Sequence, residues 1–258
     1  MATDLEQNLA AVRELYLSTM VRILNNTIYE DGNVMPNRAG PYDPKRREVG
    51  RDWPEKAFTM IGVKRMNNLR QLAARAIAEE VPGDFIETGV WRGGACVMMR
   101  AVLEAYGDKK RTVFVADSFE GLPPSNAALY PSDAGKKWDK AHVPQLAVSV
   151  EEVAEAFMKF DLLDGQVKFL KGWFKDTLPG VRDRQFALIR LDGDMYESTI
   201  QALENLYPAL TGGGFTIIDD YSLAPCRAAV EHYRKELNIT APLQPIDSNA
   251  VWWQKPKT

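Results

Sequence analysis

Cysteine and histidine are scarce in this chain, each occurring twice: Cys96 and Cys226, His142 and His232. Two cysteines are too few for a disulfide framework and lack the spacing of a zinc site, which points to a reducing, cytoplasmic home. No apolar run approaches the ~20 residues that a membrane-spanning helix needs. The start, Met1-Ala2-Thr3-Asp4-Leu5-Glu6, carries acid instead of a basic cluster and leads into no apolar signal-peptide core. Neither membrane insertion nor secretion is expected. Basic residues are not in excess either: 32 Lys and Arg stand against 35 Asp and Glu, a formal charge of −3. Without a Lys/Arg run, nucleic acid is excluded as the main partner.

What is present is an ordinary globular composition, 45% hydrophobic and 26% charged over 258 residues. That length suits one large domain. Apolar residues at Leu5, Leu9, Val12, Tyr16, Met20 and Leu24 predict an amphipathic helix over 5–25. An irregular tract follows at 31–54, and a helical pattern over 57–81 stops at Pro82-Gly83. Short β-rich runs at 84–88, 112–116, 167–170, 186–191 and 215–218 then alternate with helical stretches such as 94–106, 149–160, 198–210 and 226–237. Alternation of this kind predicts βαβ crossovers and a doubly wound, mostly parallel α/β sheet. Runs at 243–247 and 251–255 read as a hairpin that adds an antiparallel edge strand. A second irregular segment, 122–147, interrupts the pattern after the second strand. The expected organisation is one domain over 1–258, with an N-terminal helix and lid region at 1–56, a Rossmann-like core at 57–258 and 122–147 as an insertion.

In open α/β sheets ligands bind beyond the carboxyl ends of the strands. After the first strand the chain reads Glu87-Thr88-Gly89-Val90-Trp91-Arg92-Gly93-Gly94-Ala95-Cys96. This is a glycine loop opening a helix, but the dinucleotide fingerprint G-x-G-x-x-G is broken at Trp91, which weakens a nicotinamide cofactor. Glu87 suits a cationic ligand better than a phosphate. The second strand ends in Asp117-Ser118-Phe119, and an acid there is placed to accept the two hydroxyls of a ribose. Acid, glycine loop and second acid together describe a pocket for S-adenosylmethionine. The plainer reading is a tight strand-to-helix turn.

Two later strands run straight into acids: 186–191 into Asp192-Gly193-Asp194, and 215–218 into Asp219-Asp220-Tyr221. Each motif alone could be a turn or a helix cap. Together at one sheet edge they repel unless protons or a cation intervene. With only oxygen donors nearby the cation is hard, namely Mg²⁺, with Ca²⁺ or Mn²⁺ as alternatives. Such an ion would acidify a substrate hydroxyl, and a remaining carboxylate could act as general base.

At these residues the chain resembles the macrocin-type, or TylF-like, sugar O-methyltransferases. The matching segments are Thr59-Met60-Ile61-Gly62, Glu87 to Ala95, Ala116-Asp117-Ser118-Phe119, Gly172-Trp173-Phe174-Lys175-Asp176-Thr177-Leu178-Pro179, Leu191-Asp192-Gly193-Asp194, and Gly213-Gly214-Phe215 through Asp219-Asp220-Tyr221. The resemblance implies a class I methyltransferase fold and Mg²⁺-dependent methylation of a sugar hydroxyl on a natural product, leaving S-adenosylhomocysteine. It implies that Thr59, Met60, Glu87 and Gly89 hold the methionine part of the cofactor and that Asp117 and Ser118 meet the ribose. Phe119, Ser149 and Trp173 would surround the adenine, and Gly172 would also bind the cofactor. Asp192, next to the cofactor as well, would ligate the metal with Asp219 and Asp220, leaving Asp194 as base.

The family pattern does not extend into 31–54 and 122–147. Both are candidate lids, and their Tyr42, Trp53, Tyr130 and Trp138 could stack on an acceptor or simply pack. His142 and His232 are set aside as bases, and both cysteines read as small buried thiols. The partners expected are a small glycoside acceptor and a second copy of the chain, in a homodimer or higher homo-oligomer. Competing readings are a Mg²⁺-dependent methyltransferase of catechols or other phenols, a nucleotide-dependent oxidoreductase and a non-catalytic binding protein.

Overall fold

The computed structural model describes residues 2–257; Met1 and Thr258, the outer ends of the expected domain, lie outside the described residues. Helix α1 (Ala2–Leu24) precedes a short α2 (Pro44–Glu48) and α3 (Gly62–Ala78). Then β1 (Asp84–Thr88), α4 (Gly94–Tyr106), β2 (Val113–Asp117), α5 (Val150–Lys159) and β3 (Val167–Lys171) follow. The chain continues through α6 (Phe174–Thr177), β4 (Phe186–Leu191), α7 (Tyr196–Leu206), β5 (Leu210–Ile218), α8 (Ala224–Glu236), β6 (Gln244–Pro245) and β7 (Val251–Gln254). The sheet order is β3-β2-β1-β4-β5-β7-β6, parallel from β3 through β5, with β7 antiparallel to β5 and β6 antiparallel to β7. This is the mixed α/β sheet of a class I methyltransferase, as expected.

Alternation along the strands divides the core between two faces. Phe85, Val113, Val115, Leu188 and Phe215 face one apolar cluster with α1, α3, α4 and α5. Ile86, Phe114, Ala116, Ile189 and Ile218 face the other with α7 and α8. On α1 only the second half is buried, through Leu17, Met20, Val21 and Leu24, while Leu5, Leu9 and Val12 of the predicted stripe stay exposed. Among the described residues no helix is long and apolar enough to cross a membrane.

Three boundaries depart most from the sequence expectation. The helix predicted over 57–81 begins only at Gly62, because 57–61 crosses the glycine loop in irregular conformation: Phe58 N–H donates to Leu24 O at 3.0 Å, and Gly94 N–H donates to Phe58 O at 2.9 Å. The helix predicted over 198–210 ends at Leu206, and β5 starts at Leu210, five residues earlier than predicted. Thr211-Gly212-Gly213-Gly214 reads as loop, yet it forms a bulge between the pairs Phe186↔Leu210 and Leu188↔Phe215. Trp253 on β7 is fully buried, and Trp252 lies against Phe215 with ring centroids 6.0 Å apart.

Candidate active site

The carboxyl ends of β1, β2, β4 and β5 open on a cavity of about 680 Å³. Its wall includes eleven of the fourteen expected site residues: Thr59, Met60, Glu87, Gly89, Asp117, Ser118, Trp173, Asp192, Asp194, Asp219 and Asp220. The remaining three do not line it. Phe119 is 6% exposed and packs against Phe169 with centroids 6.2 Å apart. Ser149 caps α5, accepting from Glu152 N–H at 3.2 Å in a capping box. Gly172 makes the turn after β3 and donates to Asp117 O at 2.9 Å.

The glycine loop is shaped chiefly by chain-on-chain packing. Gly89 has φ +80°, and a Cβ there would stand 1.7 Å from Asp192 O, so only glycine lets β1 and β4 end side by side. Trp91 lines the cavity as well, its Nε1 donating to Gln145 O in the insertion at 3.0 Å. The Asp117 carboxylate pins this loop, accepting from Val90 N–H and from Phe119 N–H at 2.7 Å each. Ser118 Oγ donates to Gly121 O at 2.7 Å.

Glu87 is 1% exposed. One of its oxygens meets Arg190 Nη1, and the other accepts from Cys96 Sγ at 2.7 Å. Burial pushes its carboxyl up to about 7 despite the guanidinium. Its charge partner in this structure is therefore a residue of the sheet itself. Arg190, from the middle strand β4, also reaches Asp192 Oδ2 at 2.9 Å and Asp219 Oδ1.

The four aspartates come together as the strand ends required. One oxygen each of Asp192, Asp194 and Asp220 lies within 4.8 Å of the other two. Burial first, then mutual repulsion, raises all three carboxyls, Asp194 to about 7 and Asp220 well above the ordinary range. Asp194 sits on a left-handed turn at φ +55°, held by a hydrogen bond from its N–H to Asp220 Oδ2 at 3.1 Å. Asp219 stands slightly apart, with Oδ1 on Arg190 and Oδ2 on Arg65. The grouping nearest in space is thus Asp192, Asp194 and Asp220, whereas the sequence reading grouped Asp192, Asp219 and Asp220.

Sequence reasoning missed both arginines. Arg65, on α3, bridges Asp219 to Asp247 at 3.1 Å and donates to Val49 O and Gly50 O at 3.2 and 3.3 Å. Each carried a signal. Arg190 is the one charge in the otherwise apolar run Phe186–Leu191, and a charge in a doubly covered strand must have a partner. Arg65 lies on the same helical stripe as Met66, Leu69 and Leu72. The histidines stay outside the cavity: His142 pairs with Asp139 at 3.0 Å, and His232 meets the Tyr196 hydroxyl.

The macrocin-O-methyltransferase (TylF) family profile matches residues 13–255. The chain is 49% identical over 243 residues to the 8-demethyl-8-(2,3-dimethoxy-alpha-L-rhamnosyl)-tetracenomycin-C 4'-O-methyltransferase of Streptomyces olivaceus, covering 94% of this chain and 93% of that one. It is 47% identical over 245 residues to the demethyldecarbamoylnovobiocin O-methyltransferase of Streptomyces niveus, covering 93% of each. Among solved structures, the O-methyltransferase NovP superposes with a TM-score of 0.89 at 47% identity, over 95% of this chain and 100% of that one. Matching across nearly its whole length, the chain belongs to the macrocin O-methyltransferase family.

Proposed function

We propose that the chain moves a methyl group from S-adenosylmethionine to a sugar hydroxyl of a glycosylated natural product. In this reading Asp192, Asp219 and Asp220 hold a divalent cation, Mg²⁺ by preference, and Asp194 is the general base. One observation carries it: four aspartates from two neighbouring strand ends share a single cavity. Family membership supports the reaction class, and one relative acts on a rhamnosyl tetracenomycin.

The donor set fits a hard cation. It consists of carboxylate oxygens alone, and burial and repulsion raise the proton affinity of Asp192 and Asp220. Asp219 can take part although both its oxygens accept from guanidiniums, since each oxygen has a second lone pair. When bound, the ion would neutralise this charge and lower the pKa of an acceptor hydroxyl.

The chain's own residues do the rest. Thr59, Met60, Glu87 and Gly89 flank the methionine part of the cofactor, Asp117 and Ser118 the ribose, and Trp173 the adenine. A wall richer in carboxylates than in guanidiniums favours the sulfonium cofactor, whose methyl is electrophilic. Met35, Trp53, Leu122, Pro123 and Leu146 give the cavity an apolar side, which suits an aglycone and excludes water. Asp194 accepts the hydroxyl proton as the sugar oxygen attacks the methyl carbon. The C–O bond forms while the C–S bond breaks, and S-adenosylhomocysteine leaves.

Chelation and two substitutions test this. EDTA should abolish turnover and Mg²⁺ restore it; full activity in chelator overturns the metal. Asp194→Asn should keep Mg²⁺ and S-adenosylhomocysteine affinity in calorimetry while turnover falls about 10²–10⁴-fold. Asp219→Asn should weaken Mg²⁺ binding. If Asp194→Asn abolishes Mg²⁺ binding and Asp219→Asn does not, the two residues exchange roles. Competition between a glycoside and a catechol separates this acceptor class from the phenolic one.

A further inference from the structure

The insertion 122–147 touches the site directly through Leu122, Pro123, Pro124 and Leu146. It also holds a residue that does not line the cavity. Asp133, at the end of the 3-10 turn Pro131–Asp133, is 0% exposed. Among the described residues no basic side chain pairs with its carboxylate. Oδ1 accepts from Tyr196 N–H at 2.8 Å and Oδ2 from Glu197 N–H at 3.0 Å. These are the first two amides of α7, whose own N-cap residue, Met195, contributes no side-chain bond. A buried anion satisfied by two orphan amides at the positive end of a helix is a cap, here supplied from 63 residues away in the sequence. The turn itself is fixed: Ser125 Oγ donates to Asp133 O at 2.5 Å, and the Tyr130 ring lies 6.0 Å from that of Tyr196.

Asp194 stands two residues before Tyr196, at φ +55°. Aspartate adopts a left-handed conformation more readily than most residues but still at a cost, so the restraints around it fix where its carboxylate points. The bond to Asp220 is one restraint, and the start of α7 is the other. We infer that Asp133 is a positioning residue: by capping α7 it fixes the turn that aims Asp194, and it ties the insertion to that turn. The inference rests on Asp194 as the base. Seating of the insertion and aiming of the base then form one equilibrium, so an acceptor that closes the insertion also sharpens its own activation.

The test compares wild type, Asp133→Asn and Asp133→Ala in amide exchange at Asp194 to Ser198, S-adenosylhomocysteine affinity, and kcat and KM. The probe acceptor is 8-demethyl-8-(2,3-dimethoxy-α-L-rhamnosyl)-tetracenomycin C. Loss of the cap should speed exchange at these amides about tenfold and lower kcat about tenfold in the alanine variant. S-adenosylhomocysteine affinity should stay within about twofold, and asparagine, which keeps one acceptor oxygen, should restore part of both losses. Unchanged exchange overturns the inference, as does faster exchange with unaltered kcat. If Asp133→Ala does not fold, Asp133→Asn decides by the same criteria. A wild type that ignores the probe counts against the acceptor reading alone, and exchange at Asp194 and Met195 then decides the positioning role.

Discussion

The tract 31–54 and the insertion 122–147 are similar in length and irregularity, and both border the cavity, yet they are held by different means. The first is assembled around a buried cation. Arg47 is 1% exposed and meets Asp52 at 2.7 Å, Asp31 at 2.9 Å and the carbonyls of Asn25 and Asp31 at 2.6 and 3.0 Å. Asn33 adds a second centre, its Oδ1 accepting from Met35 N–H and Trp53 N–H at 2.9 Å each. Arg65 then docks the tract on Asp219 through Val49 and Gly50. Among the described residues the insertion has one β-bridge of its own, Leu122↔Asp139, and is joined to the rest of the molecule through Tyr130, Asp133 and the bond from Trp91. Irregular backbone can thus be as firmly built as a helix when a buried guanidinium satisfies its carbonyls. Only the insertion keeps the loose attachment that suits a lid.

The comparison fails most visibly at Arg47. Arg47→Met should lower unfolding free energy by about 3–5 kcal/mol, because Asp31 and Asp52 are left buried without their partner. Denaturant unfolding measures this, and a loss below about 1 kcal/mol would mean that the tract is not organised by its ion pairs. Gly50→Ala comes next. Gly50 has φ +60°, and a Cβ would lie 2.3 Å from Arg65 Nη2 and 2.5 Å from Ile61 O. The strain and clash should cost about 2–3 kcal/mol. Acceptor KM should rise while S-adenosylhomocysteine affinity holds, since the tract borders the cavity through Met35 and Trp53. Equal losses of both ligands would show that the tract supports the whole site and not one side of it.

Much of this architecture could be read from residue patterns, for identifiable reasons. Short, mostly apolar runs that lead into an acid, Phe85-Ile86 into Glu87, Val113–Ala116 into Asp117 and Phe186–Leu191 into Asp192, mark β1, β2 and β4, because a parallel strand is buried until its carboxyl end. The aspartates were therefore legible as a group. Their partners were not: whether Asp219 faces a cation, a guanidinium or solvent depends on α3 bringing Arg65 to the end of β5, which is a tertiary fact. Three of the fourteen expected site residues, Phe119, Ser149 and Gly172, follow the family pattern yet shape the cavity only from behind its wall. The start of β5 was hidden for a local reason, as three successive glycines look like a loop although they form a bulge. Asp133 resembles any loop aspartate, and its role depends on a helix far along the chain.

The smallest expected effect is the most informative about the insertion. Trp91 joins the glycine loop to Gln145 O by one hydrogen bond of 3.0 Å, and the Arg92 guanidinium stacks over its ring at 4.2 Å. Trp91→Phe keeps a ring for that stacking and removes the N–H. The freed carbonyl lies at an exposed position, where water replaces the lost donor, so stability should fall by about 1 kcal/mol or less. Cleavage by trypsin at the exposed Lys137 and Lys140 should quicken several-fold while cleavage at Arg38 stays unchanged, since opening one anchored end raises the population of the open insertion only. If Trp91→Phe destabilises the protein as much as Arg47→Met, the insertion is part of the core, and the contrast between the two regions disappears. If it accelerates cleavage in both regions alike, the glycine loop is the common hinge, and the two attachments to the sheet edge respond as one unit.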